Sequence, residues 1–141
     1  MRPTEKLMAE HERILGALDV LEDLAERVGG GEGDVGPARD VVDYLQSFAD
    51  HLHHAKEEQM LFPALGEAGL PPEGGPVGVM LMEHEEGRRL VADMTGAVEE
   101  QLASERARET FAQAASAFVD LLRNHITKEN EILFPLADRM L

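Results

Sequence analysis

Two segments of this chain align without a gap: His53-His54-Ala55-Lys56-Glu57-Glu58-Gln59-Met60-Leu61-Phe62-Pro63 and His125-Ile126-Thr127-Lys128-Glu129-Asn130-Glu131-Ile132-Leu133-Phe134-Pro135. Each copy holds a His, a Glu four residues later, and Leu-Phe-Pro at its end. Side chains at i and i+4 project from one helix face about one turn apart. Imidazole and carboxylate are both metal ligands. Two such faces brought together would cage a cation.

The repeat extends beyond these phrases. Met8-Ala9-Glu10-His11-Glu12 resembles Leu81-Met82-Glu83-His84-Glu85. His11 and His84 are 73 residues apart, and His53 and His125 are 72 apart. Two matches at nearly one offset suggest a duplication. Its halves would be related by a pseudo-two-fold axis, with helices 1 and 2 matching helices 3 and 4.

These residues must be positioned by long helices. Gly/Pro-rich stretches at 29–37 and 66–76 break the chain, and a weaker break falls near 103–106, where Ser104 can cap a helix. Between them lie four segments rich in Ala, Leu, Glu and Arg, near 4–28, 37–65, 76–102 and 105–139. Short links favour antiparallel neighbours. The expectation is an all-α, up-down-up-down antiparallel four-helix bundle forming one domain over residues 1–141.

A turn of about 100° per residue tests which way each His faces. His125 shares its stripe with Phe118, Leu121, Glu129, Ile132 and Leu136. His53 shares one with Val42, Ala49, Glu57, Met60 and Ala64. His11 lies with Leu7, Leu15, Leu18 and Ala25, and His84 with Val77, Met80, Val91, Val98 and Leu102. His51 points about 160° from His53, towards solvent, and His54 falls about 100° off, on a flank. Tyr44 lies opposite His53, and Glu58 turns away from Glu57. Arg88, about 40° off the His84 stripe, reads as a surface arginine paired with Glu85 or another acid.

The expected interior thus holds His11, His53, Glu57, His84, His125 and Glu129. Unpaired, each would cost roughly 2–7 kcal/mol to bury, enough together to cancel the roughly 5–15 kcal/mol stability of a domain. A metal reverses that cost. Six ligands exceed one tetrahedral zinc. They suit two iron ions, each with two His, with both Glu able to bridge and an oxide or hydroxide lowering the charge. Zinc or manganese would also fit the donor set.

Composition narrows the partners. Twenty-eight acidic and 13 basic residues give a formal charge of −15, which disfavours nucleic acid and anionic membrane as partners. The absence of cysteine excludes thiolate sites and disulfides. The charged N-terminus carries no apolar signal region and no apolar run is long enough to span a bilayer, so the cytoplasm is the expected compartment.

The motifs Glu10-His11, His53-x-x-x-Glu57-Glu58-x-x-Leu61-Phe62-Pro63, Glu83-His84-Glu85-Glu86-Gly87-Arg88 and His125-x-x-x-Glu129-x-x-x-Leu133-Phe134-Pro135 resemble the hemerythrin-like (HHE cation-binding) domains over nearly the whole chain. The resemblance implies a four-helix bundle around a non-haem di-iron centre. Its terminal ligands would be His11, His53, His84 and His125, and its bridging carboxylates Glu57 and Glu129. Two departures separate this chain from the oxygen carriers. Met80, read here as packing, stands where they have a further His, and the second carboxylate lies at i+4 rather than i+5. Both point towards the iron-repair, nitric-oxide-responsive and redox-sensing members. The implied function is binding or sensing of O2, peroxide or NO, acting through a protein partner or self-association. The alternatives are a peroxidase-like, catalase-like or NO-reducing enzyme, and a structural metal bundle. A ferritin-like oxidase ranks low, because no His has a Glu three residues before it.

Overall fold

The computed structural model describes residues 2–141. They are all-helical in four long runs: α1 (Pro3–Gly29), α2 (35–67), α3 (Pro76–Glu99) and α4 (105–140). The ends follow local chemistry. Pro opens α1 and α3 in the first turn, where its missing N–H costs nothing. The Asp34 side chain caps α2 by accepting from the Gly36 amide at 3.2 Å. Ser104 caps α4 by accepting from the Ala107 amide at 3.0 Å, as its sequence position suggested. No described helix is long and apolar enough to cross a membrane.

Two runs are not regular α-helix. Within α2, Leu45–His54 and Glu57–Leu61 are π-helical, and within α4, Glu129–Leu133 is π-helical. The two later stretches each end one residue before a Phe-Pro pair. Inside an α-helix, Pro63 or Pro135 would lose its own hydrogen bond and press its ring on the carbonyl four residues back. A wider turn with i→i+5 bonding makes room and lets the helix continue.

That widening corrects the expected facing. Met60 and Ile132, placed on the core stripes by a uniform 100° step, are 69% and 57% exposed. Leu61 and Leu133, one residue on, are buried instead at 6% and 1%. The slip is one residue, as an inserted π-turn requires.

The apolar interior forms two clusters. The larger holds residues such as Ile14, Leu18, Leu45, Val91, Met94, Phe111 and Phe118. The smaller holds Leu7, Leu61, Leu65, Val77, Met80, Leu133 and Phe134. Met80 is therefore a packing residue. Along α1, α2 and α3, the buried histidines and glutamates fall between the stretches that feed these two clusters, and in α4 His125 and Glu129 flank Ile126 at the edge of the larger one.

Candidate metal centre

Each helical run delivers histidine to one buried place. His11 comes from α1, His53 from α2, His84 from α3 and His125 from α4, and none is more than 2% exposed. Glu57 and Glu129 are fully buried among them. All six residues singled out by the sequence therefore meet. His51 is exposed, and Tyr44 stacks on Phe48 away from the cluster.

The four histidines are oriented by a cyclic set of hydrogen bonds. His53 Nδ1 lies 2.9 Å from Glu10 Oε1, and His84 Nδ1 lies 2.7 Å from Glu58 Oε2. His125 Nδ1 lies 2.9 Å from Glu83 Oε1, and His11 Nδ1 lies 2.7 Å from Asn130 Oδ1. So α1 orients the histidine of α2, α2 that of α3, α3 that of α4, and α4 that of α1. Lys56 and Lys128 donate to the outer oxygens of Glu10 and Glu83. These are the partners that hold a metal-ligating imidazole in one tautomer with its Nε2 free.

The inner atoms are crowded with donors. Glu57 places Oε1 3.2 Å from His84 Nε2 and Oε2 3.8 Å from His53 Nε2. Glu129 Oε1 lies 3.0 Å from His11 Nε2 and 3.4 Å from His125 Nε2. Yet His53 Nε2, both Glu57 oxygens and Glu129 Oε2 are buried without a hydrogen-bond partner. Unpaired buried polar atoms are rare in native interiors and call for an explanation such as an ion.

Electrostatics reflect this crowding. Burial, followed by the Glu129 charge, pushes the Glu57 carboxyl well above the usual range. Burial would raise Glu129 too, but Glu57, His11 and His125 hold it well below. Burial lowers His84 to about 2 and His53 to about 4, helped by neighbouring histidines. Burial also opposes charge on His125, but its bonds to Glu129 and Glu83 prevail and raise it to about 9.

Three features escaped the sequence. Glu58, read only as turned away from Glu57, bonds His84 and Arg88. Arg88 does pair with Glu85, but it also bonds Asp50 and Glu58, and its side chain is one-third exposed. His54, read as a flank residue, is 95% buried, because π-helical Leu45–His54 departs from the assumed 100° step. Its ring stacks on His84 with centroids 3.9 Å apart.

The donors fall into two overlapping groups. His11, His53, Glu57 and Glu129 each place a ligand atom within 4.8 Å of the others, and so do His54, Glu57, His84 and His125. Glu57 belongs to both. This donor set of imidazoles and carboxylates, with orphaned atoms at its centre, fits a metal site. Residues 2–137 match the hemerythrin HHE cation binding domain. The chain belongs to that family.

Among hemerythrin-like relatives, the iron-sulfur cluster repair protein DnrN of Neisseria gonorrhoeae is 34% identical, with 79% of this chain and 73% of that protein covered. The iron-sulfur cluster repair protein YtfE of Salmonella schwarzengrund is 30% identical, covering 90% of this chain and 59% of the relative. An uncharacterized protein of Mycobacterium tuberculosis is 27% identical, covering 93% and 51%. This chain thus spans little more than half of the latter two. No solved structure matches it significantly.

Proposed function

We propose that this hemerythrin-like chain holds two iron ions and uses them to bind a small diatomic or peroxide ligand in an iron- or redox-stress response. The observation that carries this reading is the set of four orphaned buried atoms on His53, Glu57 and Glu129. His11, His53, His84 and His125 would hold the ions as terminal ligands. Glu57 and Glu129 would bridge them, since each carboxylate touches one histidine of both groups. When bound, iron supplies Lewis acidity and one-electron redox chemistry.

The protein's own part is orientation and exclusion. Glu10, Glu58, Glu83 and Asn130 fix the four imidazoles, and the two apolar clusters keep bulk water from the donors. A pocket of about 230 Å³ reaches His54 and His84, with Leu45, Val91 and Phe118 among its walls and Arg88 beside them. That size admits a diatomic molecule or peroxide. The names of two relatives support a role in iron-sulfur cluster repair. A protein partner or self-association would carry any signal onward.

Metal analysis of the purified protein, with visible spectra before and after O2, peroxide and NO, tests the proposal. Two iron ions per chain and a spectral change with at least one ligand are expected. One ion or none after full reconstitution would overturn the di-iron reading. Unchanged spectra with all three ligands would reduce the site to a structural one.

A further inference from the structure

The repeat supplies four histidines, but five are buried at the centre. The extra one is His54. Its counterpart 72 residues on is Ile126, which packs at 3% exposure in the larger apolar cluster. A neutral interior would favour a second Ile at that place. Instead the chain buries an imidazole against three other imidazoles, with ring centroids 3.9 Å from His84, 5.7 Å from His53 and 5.8 Å from His125.

His54 has a carboxylate beside its Nδ1, as three of the four other histidines do, although this one stands on its own helix. Each of those turns Nδ1 to an oxygen acceptor from a neighbouring helix. His54 Nδ1 lies 3.7 Å from Asp50 Oδ1, one helical turn earlier, which is beyond normal hydrogen-bond length. Arg88 holds that carboxylate in place, with Nε 2.9 Å from Oδ1. One donor atom of His54 also lies within 4.8 Å of donor atoms of Glu57, His84 and His125.

We propose that His54 is a fifth imidazole ligand, which binds the ion on the His84–His125 side of the centre, with Asp50 and Arg88 as its positioning residues. The inference rests on the two-metal reading above. It makes the two metal positions unequal. One would draw on three imidazoles and the other on two, with Glu57 and Glu129 shared between them.

The test counts imidazoles rather than activity. Full-length protein labelled with 15N-histidine is loaded anaerobically with Fe(II), and its hyperfine-shifted imidazole N–H resonances are counted by NMR. Five are expected in the wild type and four in His54→Ala. Competition with a chelator should show the affinity for one of the two ions falling at least about ten-fold in His54→Ala, with His51→Ala unchanged. His54→Gln, which keeps more of the side-chain volume, serves if the Ala variant does not fold, and the wild-type count needs no variant. Four resonances in the wild type would overturn the proposal, as would a His54 variant with unchanged count and affinity. If the wild type itself holds fewer than two ions after full reconstitution, the two-metal reading has failed. If His125→Ala loses metal while His54→Ala does not, only the fifth ligand has.

Discussion

Replacing Glu57 by Leu should stabilise the metal-free protein while abolishing its metal binding. Glu57 is fully buried and carries two of the four orphaned atoms. An unsatisfied buried polar group costs about 1–3 kcal/mol. Burial and the Glu129 charge favour the neutral form of Glu57, so the lower end of that range applies, about 1 kcal/mol for each oxygen. Leu has a similar volume and needs no partner. Glu129 loses its contact with Glu57 but is also relieved of a second carboxyl beside it, and it keeps His11 at 3.0 Å and His125 at 3.4 Å. His84 Nε2 keeps His125 Nε2 at 3.2 Å and His53 Nε2 is already unpartnered. The net expectation is a gain of about 2 kcal/mol, or roughly 6–8 °C in Tm for a domain of this size. Urea and thermal unfolding in excess chelator would measure it. The same experiments with anaerobic Fe(II) should reverse the order, since the wild type gains a ligand that binds only its native state and the variant does not. A Glu57→Leu variant less stable than the wild type in chelator would refute the reasoning. It would mean that the Glu57 carboxyl is satisfied without metal and that the orphaned atoms do not mark the site.

The outer partners should matter equally in both halves: Glu10→Ala and Glu83→Ala should each weaken metal binding by about 10–100-fold, read by chelator competition. The register slip is testable by stability alone. Leu61→Ala should cost about 2–5 kcal/mol and Met60→Ala less than about 0.5 kcal/mol, whereas a uniform α-helix would exchange the two. Metal-free protein should be most stable near pH 6.5. His53 and His84 have folded values of about 4 and about 2, so an unfolded chain takes up protons first and stability falls as pH drops below 6.5. His125 is raised to about 9, so its contribution is complete below 6.5 and is lost as pH rises towards 9. Chemical denaturation across pH 4–9 in chelator checks this, and a monotonic profile would contradict it.

Much of this arrangement is legible in the chain. Glycine and proline mark the loops, Ser104 caps where its position says, and the repeat selects the histidine and glutamate that meet in the interior. Helical facing failed where the helix was not α. Proline inside the Leu-Phe-Pro phrase was the available signal, since a helix that continues through proline must widen or kink. Reading that signal would have moved Leu61 and Leu133 inward and reopened the assignment of His54. Glu10, Lys56, Glu83 and Lys128 were legible in another sense. They recur at matching places in the two halves, and a polar residue repeated beside a ligand is a candidate to orient it. Periodicity alone could not show this, because the bonds of Glu10 and Glu83 run between helices.

The four orienting bonds also show where the two halves part company. Three of the acceptors are carboxylates, on Glu10, Glu58 and Glu83, while the fourth is the neutral amide of Asn130. A carboxylate accepting from Nδ1–H makes an imidazole more basic at Nε2 and a stronger donor to metal than an amide does. His84 therefore has the better-supported nitrogen and His11 the weaker one, although they occupy matching places in the repeat. The Glu58 and Asn130 positions are also the 72-residue counterparts of each other. The same change of residue that weakens support for His11 leaves Glu58 free to bind Arg88, and Arg88 in turn fixes Asp50 beside His54. In the proposed centre the position on the His84–His125 side is therefore the richer in well-oriented nitrogen. The pocket that reaches His54 and His84 would bring an exogenous ligand to that same nitrogen-rich side, so the two positions would differ in access as well as in ligands.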